Sequence, residues 1–235
     1  MNWQVPYLSR ADMARRAEAL LAAYGEKDGK PVEPPVPVEA MIGFLGLKCV
    51  YVNFERINQP GVLGATYVNR RLIAVSRDLL DESVCGRSAF TMAHEVGHWV
   101  LHRRLAEKGG GAGSGEEIIF CRREDTAKPV ESQANYFAGC LLMPEAHVRE
   151  AFSRVFKPER LDLVNVHSDF ATSMFGFDFC VENWPRIAAT VCEAGGFDNV
   201  SLQAMIIRLQ NLGLVVNHTR QAMGWARKPG MTATA

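Results

Sequence analysis

Several features that would assign this sequence to a partner or a compartment are missing. Its 26 lysines and arginines equal its 26 aspartates and glutamates, so no overall charge favours nucleic acid, a membrane surface or an acidic substrate. No apolar run approaches the roughly 20 residues that span a bilayer, and the first residues lack the basic and apolar regions of a signal peptide. The six cysteines form no C-x-x-C pair. We therefore expect a cytoplasmic protein with reduced cysteines and no membrane partner.

The chain is long and apolar enough for one folded domain with a small addition. It has 235 residues, of which 48% are hydrophobic. Ser9, with Asp12 three residues later, begins a helix that we predict to end at Gly25, and a segment rich in proline and charge follows. We expect three parts: an N-terminal helix and linker (1–35), a main domain (36–148) and a helical C-terminal region (149–235).

The main domain is predicted to combine a small sheet with long helices. Three runs are rich in β-forming residues, LKCVYVNF, GVLGATYV and RLIAVS, and the last two are predicted to form a hairpin with a turn at Asn69-Arg70. Two helical segments follow, CGRSAFTMAHEVGHWVLHRRL and PVESQANYFAGCLL. The glycine-rich segment 107–117 between them is predicted to be a surface loop. The predicted fold class is α+β, with the sheet packed on the first helix and a mainly helical C-terminal region.

The stretch FTMAHEVGHWVLH, residues 90–102, contains His94 and His98, which are one helical turn apart and have a glutamate just after the first. Side chains four residues apart project from the same face of a helix, so His94 and His98 can offer imidazole nitrogens to one metal ion. Glu95 lies about 100° round the helix, where a general base for a metal-activated water belongs. The pattern predicts a zinc site with Glu95 as the catalytic base.

The competing interpretation is a pair of buried histidines that are satisfied by ordinary hydrogen bonds. At average composition, this pattern would arise by chance about once in a hundred chains of this length. The segment is otherwise apolar, and burying three polar groups without partners would cost several kcal/mol. Gly97 also leaves room beside His98 for a substrate or a crossing helix. We favour the metal site.

A catalytic zinc ion usually takes three protein ligands, so a third must be found. The downstream candidates before Pro144 are His102, Glu107, Glu116, Glu117, Cys121, Glu124, Asp125, Glu131 and Cys140. A glycine-rich segment gives a ligand no rigid support. Three ligands from one straight helix do not readily converge on one ion, which counts against His102.

Glu131 is the third ligand that we favour. It lies three residues before Ala134 on the apolar face of its helix, where a carboxylate needs a partner. Asn135, one turn further on, could hydrogen-bond the outer nitrogen of a liganding histidine. The alternative makes Glu131 a carboxylate that the helix dipole stabilises, although Lys128 stands where a full capping box needs serine or threonine.

The stretches RSAFTMAHEVGHWVLH and ESQANYFAGCLLMP together resemble the ImmA/IrrE family of metallopeptidases. The resemblance covers about residues 36–148 and implies a zincin-like domain in which His94, His98 and Glu131 bind Zn²⁺ and Glu95 is the base. It also implies the substrate class, because family members cleave helix-turn-helix transcriptional repressors of mobile elements or stress circuits. The first 35 residues are too few for such a repressor, so we expect it to be a separate protein.

Two expectations concern how a substrate is held. Zinc peptidases commonly bind the peptide as an added β-strand beside the active-site helix. We expect GVLGATYV or RLIAVS to supply the edge of the sheet. Tyr136 is a candidate oxyanion donor, although an aromatic residue there is more often part of the core or the surface.

Two other functions compete with the peptidase. One is a metal-binding transcriptional regulator, since segments 187–194 and 200–212 resemble a helix-turn-helix and no acidic residue follows Asp198. The basic residues there are Arg208, Arg220, Arg227 and Lys228. The second of these segments also carries an apolar stripe, formed by Met205, Ile206, Leu209 and Leu212. Packing of this stripe against the rest of the domain accounts for the segment without DNA, so we do not favour direct DNA binding. The other is an inactive zinc-binding interaction module. The sequence predicts no oligomeric state.

Overall fold

The computed structural model describes residues 5–80, 86–109, 118–122 and 128–220. Most of the glycine-rich segment and the basic residues Arg227 and Lys228 lie outside these ranges, as do Cys85 and four of the candidate ligands, Glu116, Glu117, Glu124 and Asp125. The chain forms two compact units. Unit 1 comprises Met1–His147 and Gly196–Ser201, and unit 2 comprises Val148–Gly195 and Leu202–Ala235.

The described residues form helices and strands in mixed order along the chain. The helices are α1 (Arg10–Asp28), α2 (Val38–Phe44), α3 (Arg87–Gly109), α4 (Pro129–Leu142), α5 (Glu145–Val155), α6 (Asp169–Phe175), α7 (Trp184–Gly195) and α8 (Leu202–Asn211). The strands are β1 (Lys48–Val52), β2 (Val62–Tyr67), β3 (Leu72–Ser76), β4 (Ile118–Arg122), β5 (Leu161–Leu163) and β6 (Val215–Asn217). Across the described ranges, every helix is too short or too polar to cross a membrane.

The N-terminal helix begins where the sequence predicts but ends later. The Ser9 hydroxyl accepts a hydrogen bond from the backbone N–H of Asp12 at 3.1 Å, which confirms the predicted cap. The predicted end at Gly25 is wrong, because α1 continues to Asp28. Gly29 then adopts the left-handed conformation (φ 77°), and its N–H bonds to the carbonyl of Gly25.

The sheet of unit 1 has the strand order β1-β3-β2-β4. Strands β2 and β3 form the predicted antiparallel hairpin, whereas β1 pairs with β3 in parallel. Strand β4 was not predicted, and it pairs antiparallel with the other side of β2. The expectation that GVLGATYV or RLIAVS supplies an edge is wrong, since β2 and β3 are the two inner strands. Strands β1 and β4 lie at the edges.

The helix that carries the histidine pair lies between the sheet and a second helix. Helix α3 packs against β2 and β3, and it also packs against α4, which α1 contacts in turn. A side chain on Gly97 would place its Cβ 3.2 Å from both Cα and the carbonyl oxygen of Ala134. Gly97 therefore allows the backbones of α3 and α4 to approach each other. Of the two explanations that the sequence offered for this glycine, a substrate or a crossing helix, the structure shows the crossing helix. The predicted α+β class, with the sheet on the motif helix, is confirmed.

Unit 2 is mainly helical and has its own core. Strands β5 and β6 form a two-stranded parallel sheet, and five aromatic rings pack together: Phe152, Phe156, Phe175, Phe177 and Phe179. Helix α8 buries Met205, Ile206 and Leu209, in agreement with the predicted apolar stripe. Arg208 is only 4% exposed, so it does not offer its charge to phosphate as the DNA-binding interpretation requires.

Candidate metal centre

Three side chains from α3 and α4 converge in the interior of unit 1. The Nε2 atom of His94 lies 3.0 Å from Oε2 of Glu131, and Nε2 of His98 lies 3.4 Å from Oε1 of the same carboxylate. All three residues are buried, and one ligand atom from each lies within 4.8 Å of the others. The structure thus brings together the histidine pair and the carboxylate that the sequence singles out.

The charges in this cluster suit a bound cation. Burial raises the pKa of the Glu131 carboxyl, but chiefly its hydrogen bond with His94 outweighs burial, and that pKa is lowered to about 2. Burial lowers the pKa of His94, but interactions with Cys121 and Glu131 together outweigh burial. The pKa of His94 is therefore well above its ordinary value. A proton on His94 therefore balances the charge of Glu131. A divalent cation could replace that proton.

His98 is a neutral imidazole with an available lone pair. Burial and the charge of His94 lower the pKa of His98 to about 3. Its Nε2 atom is buried, and in the part of the chain that the structure describes it has no hydrogen-bond partner. A buried imidazole nitrogen without a partner lowers the stability of the fold. Neutral imidazole is the commonest metal ligand in proteins, so a metal ion would satisfy this nitrogen. The residues present therefore fit a transition-metal ion.

The outer nitrogens of both histidines are held by hydrogen bonds. Nδ1 of His94 lies 2.9 Å from Oδ1 of Asn135, so Asn135 occupies the supporting position that its helical spacing suggests. Nδ1 of His98 lies 3.1 Å from Nδ1 of His102, which is 1% exposed. His102 therefore contacts the side of His98 that faces away from Glu131. It supports a candidate ligand rather than joining the ligand set.

A chain of hydrogen bonds determines which nitrogen of His98 carries its proton. The backbone carbonyl of Pro6 can only accept, and it accepts from Nε2 of Gln133 at 2.9 Å. The Gln133 oxygen then faces Nε2 of His102 at 2.9 Å, so that nitrogen carries the proton and Nδ1 of His102 must accept. Nδ1 of His98 is consequently the donor. Its Nε2 lone pair is directed towards Glu131.

Glu95 lies beside the cluster, on the side of α3 that packs against the sheet. It is fully buried, and its Oε2 accepts a hydrogen bond of 2.6 Å from the Thr66 hydroxyl. Its Oε1 is buried and has no hydrogen-bond partner among the described residues. Burial raises the pKa of the Glu95 carboxyl to about 7, although His94 and Thr66 oppose the shift. Such a carboxyl can both take up and release a proton near neutral pH.

Two residues of strand β2 position the Glu95 carboxylate, and the sequence alone did not identify either of them. A Cβ atom on Gly64 would collide with Oε1 of Glu95, so a larger residue here would displace the carboxylate from its observed position. Thr66, two residues further along, projects from the same face of the strand and donates to the other oxygen. The available signal was Gly64 itself, because glycine inside a strand often marks the close approach of another group.

Two other candidates lie where the sequence could not place them. The guanidinium of Arg10 on α1 lies 5.4 Å from the centre of the Tyr136 ring, and the role of Tyr136 as an oxyanion donor stays a prediction. Cys121, which the sequence analysis included among the possible third ligands without favouring it, lies on strand β4, which was not predicted. Its ligand atom is within 4.8 Å of those of His94 and Glu95.

The model of a peptidase family, described as the IrrE N-terminal-like domain, matches residues 48–175. This range includes β1 to β4, α3, α4 and every residue of the cluster. No curated protein matches the chain.

Proposed function

Since the chain belongs to the ImmA/IrrE family of metallopeptidases, we propose that it is a zinc-dependent endopeptidase in which His94, His98 and Glu131 hold the metal and Glu95 is the general base. Two imidazoles and one carboxylate are a ligand set of known zinc peptidases. A zinc ion held there would polarise the scissile carbonyl and make a water molecule more acidic. The proposal extends the family assignment to the metal and to the role of each residue.

The single observation that carries the proposal is the position of the free oxygen of Glu95. Oε2 is engaged by Thr66, whereas Oε1 is fully buried and has no hydrogen-bond partner among the described residues. One oxygen of this carboxylate lies within 4.8 Å of a ring nitrogen of His94. Thr66 and Gly64 hold the carboxylate in one orientation, so that Oε1 can accept a proton from the attacking water. The same oxygen can then donate that proton to the nitrogen of the departing amine. A carboxyl whose pKa is about 7 is suited to both steps.

We further propose that the substrate is a separate helix-turn-helix transcriptional repressor, whose cleavage releases mobile-element or stress-response genes. The support is the likeness to the ImmA/IrrE family. Strand β4 is the edge strand beside α3, so an extended peptide would pair there rather than with β2 or β3. The cysteines that the structure describes form no disulfide with one another, in keeping with action in a reducing cytoplasm.

The test is co-expression with a repressor encoded beside this gene, followed by mass spectrometry of the repressor. Wild-type protein should yield two fragments. Glu95→Gln should bind zinc and leave the repressor intact, and His98→Ala should lose both zinc and cleavage. Glu18→Gln on the exposed side of α1 is the matched control and should cleave like wild type. Equal cleavage by Glu95→Gln would contradict the assigned base. Salt-sensitive DNA binding by both proteins, with no cleavage, would favour the regulator instead.

A further inference from the structure

The side chain of Cys121 lies beside His94, one of the proposed metal ligands, and has no place in the mechanism above. Cys121 pairs with Gly64 across the β2–β4 ladder, so the side chains of both positions project from the same face of the sheet. That face is the one on which the carboxylate of Glu95 lies. Because Gly64 has no side chain, the space opposite Cys121 remains open to Glu95 and the thiol.

Two contacts define where the thiol is. Its sulfur lies within 4.8 Å of ligand atoms of both His94 and Glu95, and on β4 it stands opposite Gly64. An independent observation is Oε1 of Glu95, a fully buried oxygen without a partner in the described ranges. It faces Gly64, the residue opposite Cys121, and one oxygen of its carboxylate belongs to the same group of three ligand atoms as the Cys121 sulfur. The group therefore contains an unsatisfied acceptor, a liganding imidazole and a soft sulfur ligand.

We propose that Cys121 is a fourth protein ligand of the metal, and that its thiolate occupies the position that the attacking water requires. The inference rests on the metal site proposed above. On ligation the Sγ–H bond breaks, the proton passes to solvent, and a sulfur–metal bond forms. Activation reverses the exchange: water replaces the sulfur, which regains a proton. A site with four protein ligands has the closed coordination typical of structural zinc, so the peptidase is latent while the sulfur is bound.

The direct test is X-ray absorption at the zinc edge of protein loaded with one zinc per chain. Wild type should show one sulfur at about 2.3 Å in addition to nitrogen and oxygen at about 2.0–2.2 Å. Cys121→Ser should lose the sulfur shell and bind zinc at least about tenfold more weakly, since even supporting residues commonly contribute tenfold or more to affinity. Cys121→Ser should also cleave the repressor faster than wild type. A slower rate would overturn the latency.

Two matched variants locate any sulfur that is found. Cys49→Ser lies on β1, at the opposite edge of the same sheet, and should keep the sulfur shell. Cys180→Ser controls for a second group of candidate ligands, His167, Cys180 and Glu182, and should also keep it. A shell that persists in Cys121→Ser and disappears in Cys180→Ser would overturn the proposal.

The wild-type spectrum decides the question even if Cys121→Ser does not fold. Zinc bound only by nitrogen and oxygen would refute the role of Cys121 and leave the proposed peptidase intact. A chain that binds no zinc would refute both. Cobalt substitution gives a second readout, because a thiolate ligand produces a charge-transfer band in the near ultraviolet that wild type should show and Cys121→Ser should lack.

Discussion

Nδ1 of His98 lies 3.1 Å from Nδ1 of His102. Because the other ring nitrogen of His102 is hydrogen-bonded to Gln133, this contact determines which nitrogen of His98 carries the proton and which faces the candidate metal site. We predict that His102→Phe retains all the proposed ligands but weakens zinc binding about tenfold to a hundredfold, the usual effect of removing an outer support. Competition with a chromophoric chelator measures the change. NMR of the imidazole nitrogens should show His98 protonated at Nδ1 in wild type.

A second variant separates this role from simple packing. Gln133→Leu breaks the same chain one residue further from the metal, so its effect on zinc affinity should not add to that of His102→Phe. Additive losses in the double variant would mean that the two residues act independently. The hydrogen-bond chain would then have no bearing on His98.

The close approach of α3 and α4 predicts opposite effects for two glycines. Gly97→Ala would place a methyl group 3.2 Å from the backbone of Ala134 and should lower the free energy of unfolding by about 1–3 kcal/mol. Gly139→Ala, also inside a helix, meets only Met143 at 3.9 Å and should be neutral or raise it by up to about 1 kcal/mol. Urea unfolding compares the two. A stabilising Gly97→Ala would contradict the packing described.

The hydrogen bond between Thr66 and Glu95 predicts a variant with a lower kcat and unchanged zinc binding. Thr66→Val removes the hydroxyl that donates to Oε2 of Glu95 but keeps the shape of the side chain. Since a hydrogen bond to a charged group is worth about 1.5–3 kcal/mol, kcat should fall about tenfold to a hundredfold. Thr66→Ser retains the hydroxyl and should keep most of the rate. Equal rates in both variants would show that the hydroxyl does not position the base.

The ion pair between His167 and Asp178 in unit 2 predicts a dependence of stability on pH. His167 is hydrogen-bonded to Asp178 at 2.7 Å, which raises the pKa of His167, and Glu182 and Asp169 add to the effect. Its contribution is fully present below its ordinary pKa of 6.5 and disappears as the pH rises through the raised value. His167→Gln should therefore lower the Tm more at pH 5 than at pH 9.

The partner residue provides the control for that measurement. Burial raises the pKa of Asp178, but hydrogen bonds from Cys180, His167 and Ser168 outweigh it and lower the pKa to about 2. Its own contribution is therefore present above 3.8 and is lost only as the pH falls towards about 2. In an Asp178→Asn background, the pH-dependent part of the His167→Gln effect should be greatly reduced.

Helix α4 illustrates how much local sequence determines. Its bounds, Pro129–Leu142, are those predicted, because proline fits the first turn of a helix and Pro144 stops it. The spacing of its apolar residues defines an inward face, and Glu131 lies on that face with 3% exposure. Its proximity to the histidine pair could therefore be inferred without coordinates.

Strand β4 illustrates what local sequence does not determine. Its five residues follow a glycine-rich segment, and a strand this short depends on its partner, here β2, for stability. Without β4, both β2 and β3 could be taken for edges, and Cys121 had no position relative to the histidines. The contact between His102 and Gln133 was likewise inaccessible, because it depends on how α3 packs against α4.

The most direct test of the metal site is the zinc content of purified Glu131→Gln. The substitution keeps the size of the side chain but removes the charge that faces Nε2 of His94 and His98. Elemental mass spectrometry should find about one zinc per chain in wild type and in Glu18→Gln, and only a small fraction of that in Glu131→Gln, with all three proteins folded by circular dichroism. Full zinc occupancy in Glu131→Gln would contradict the account.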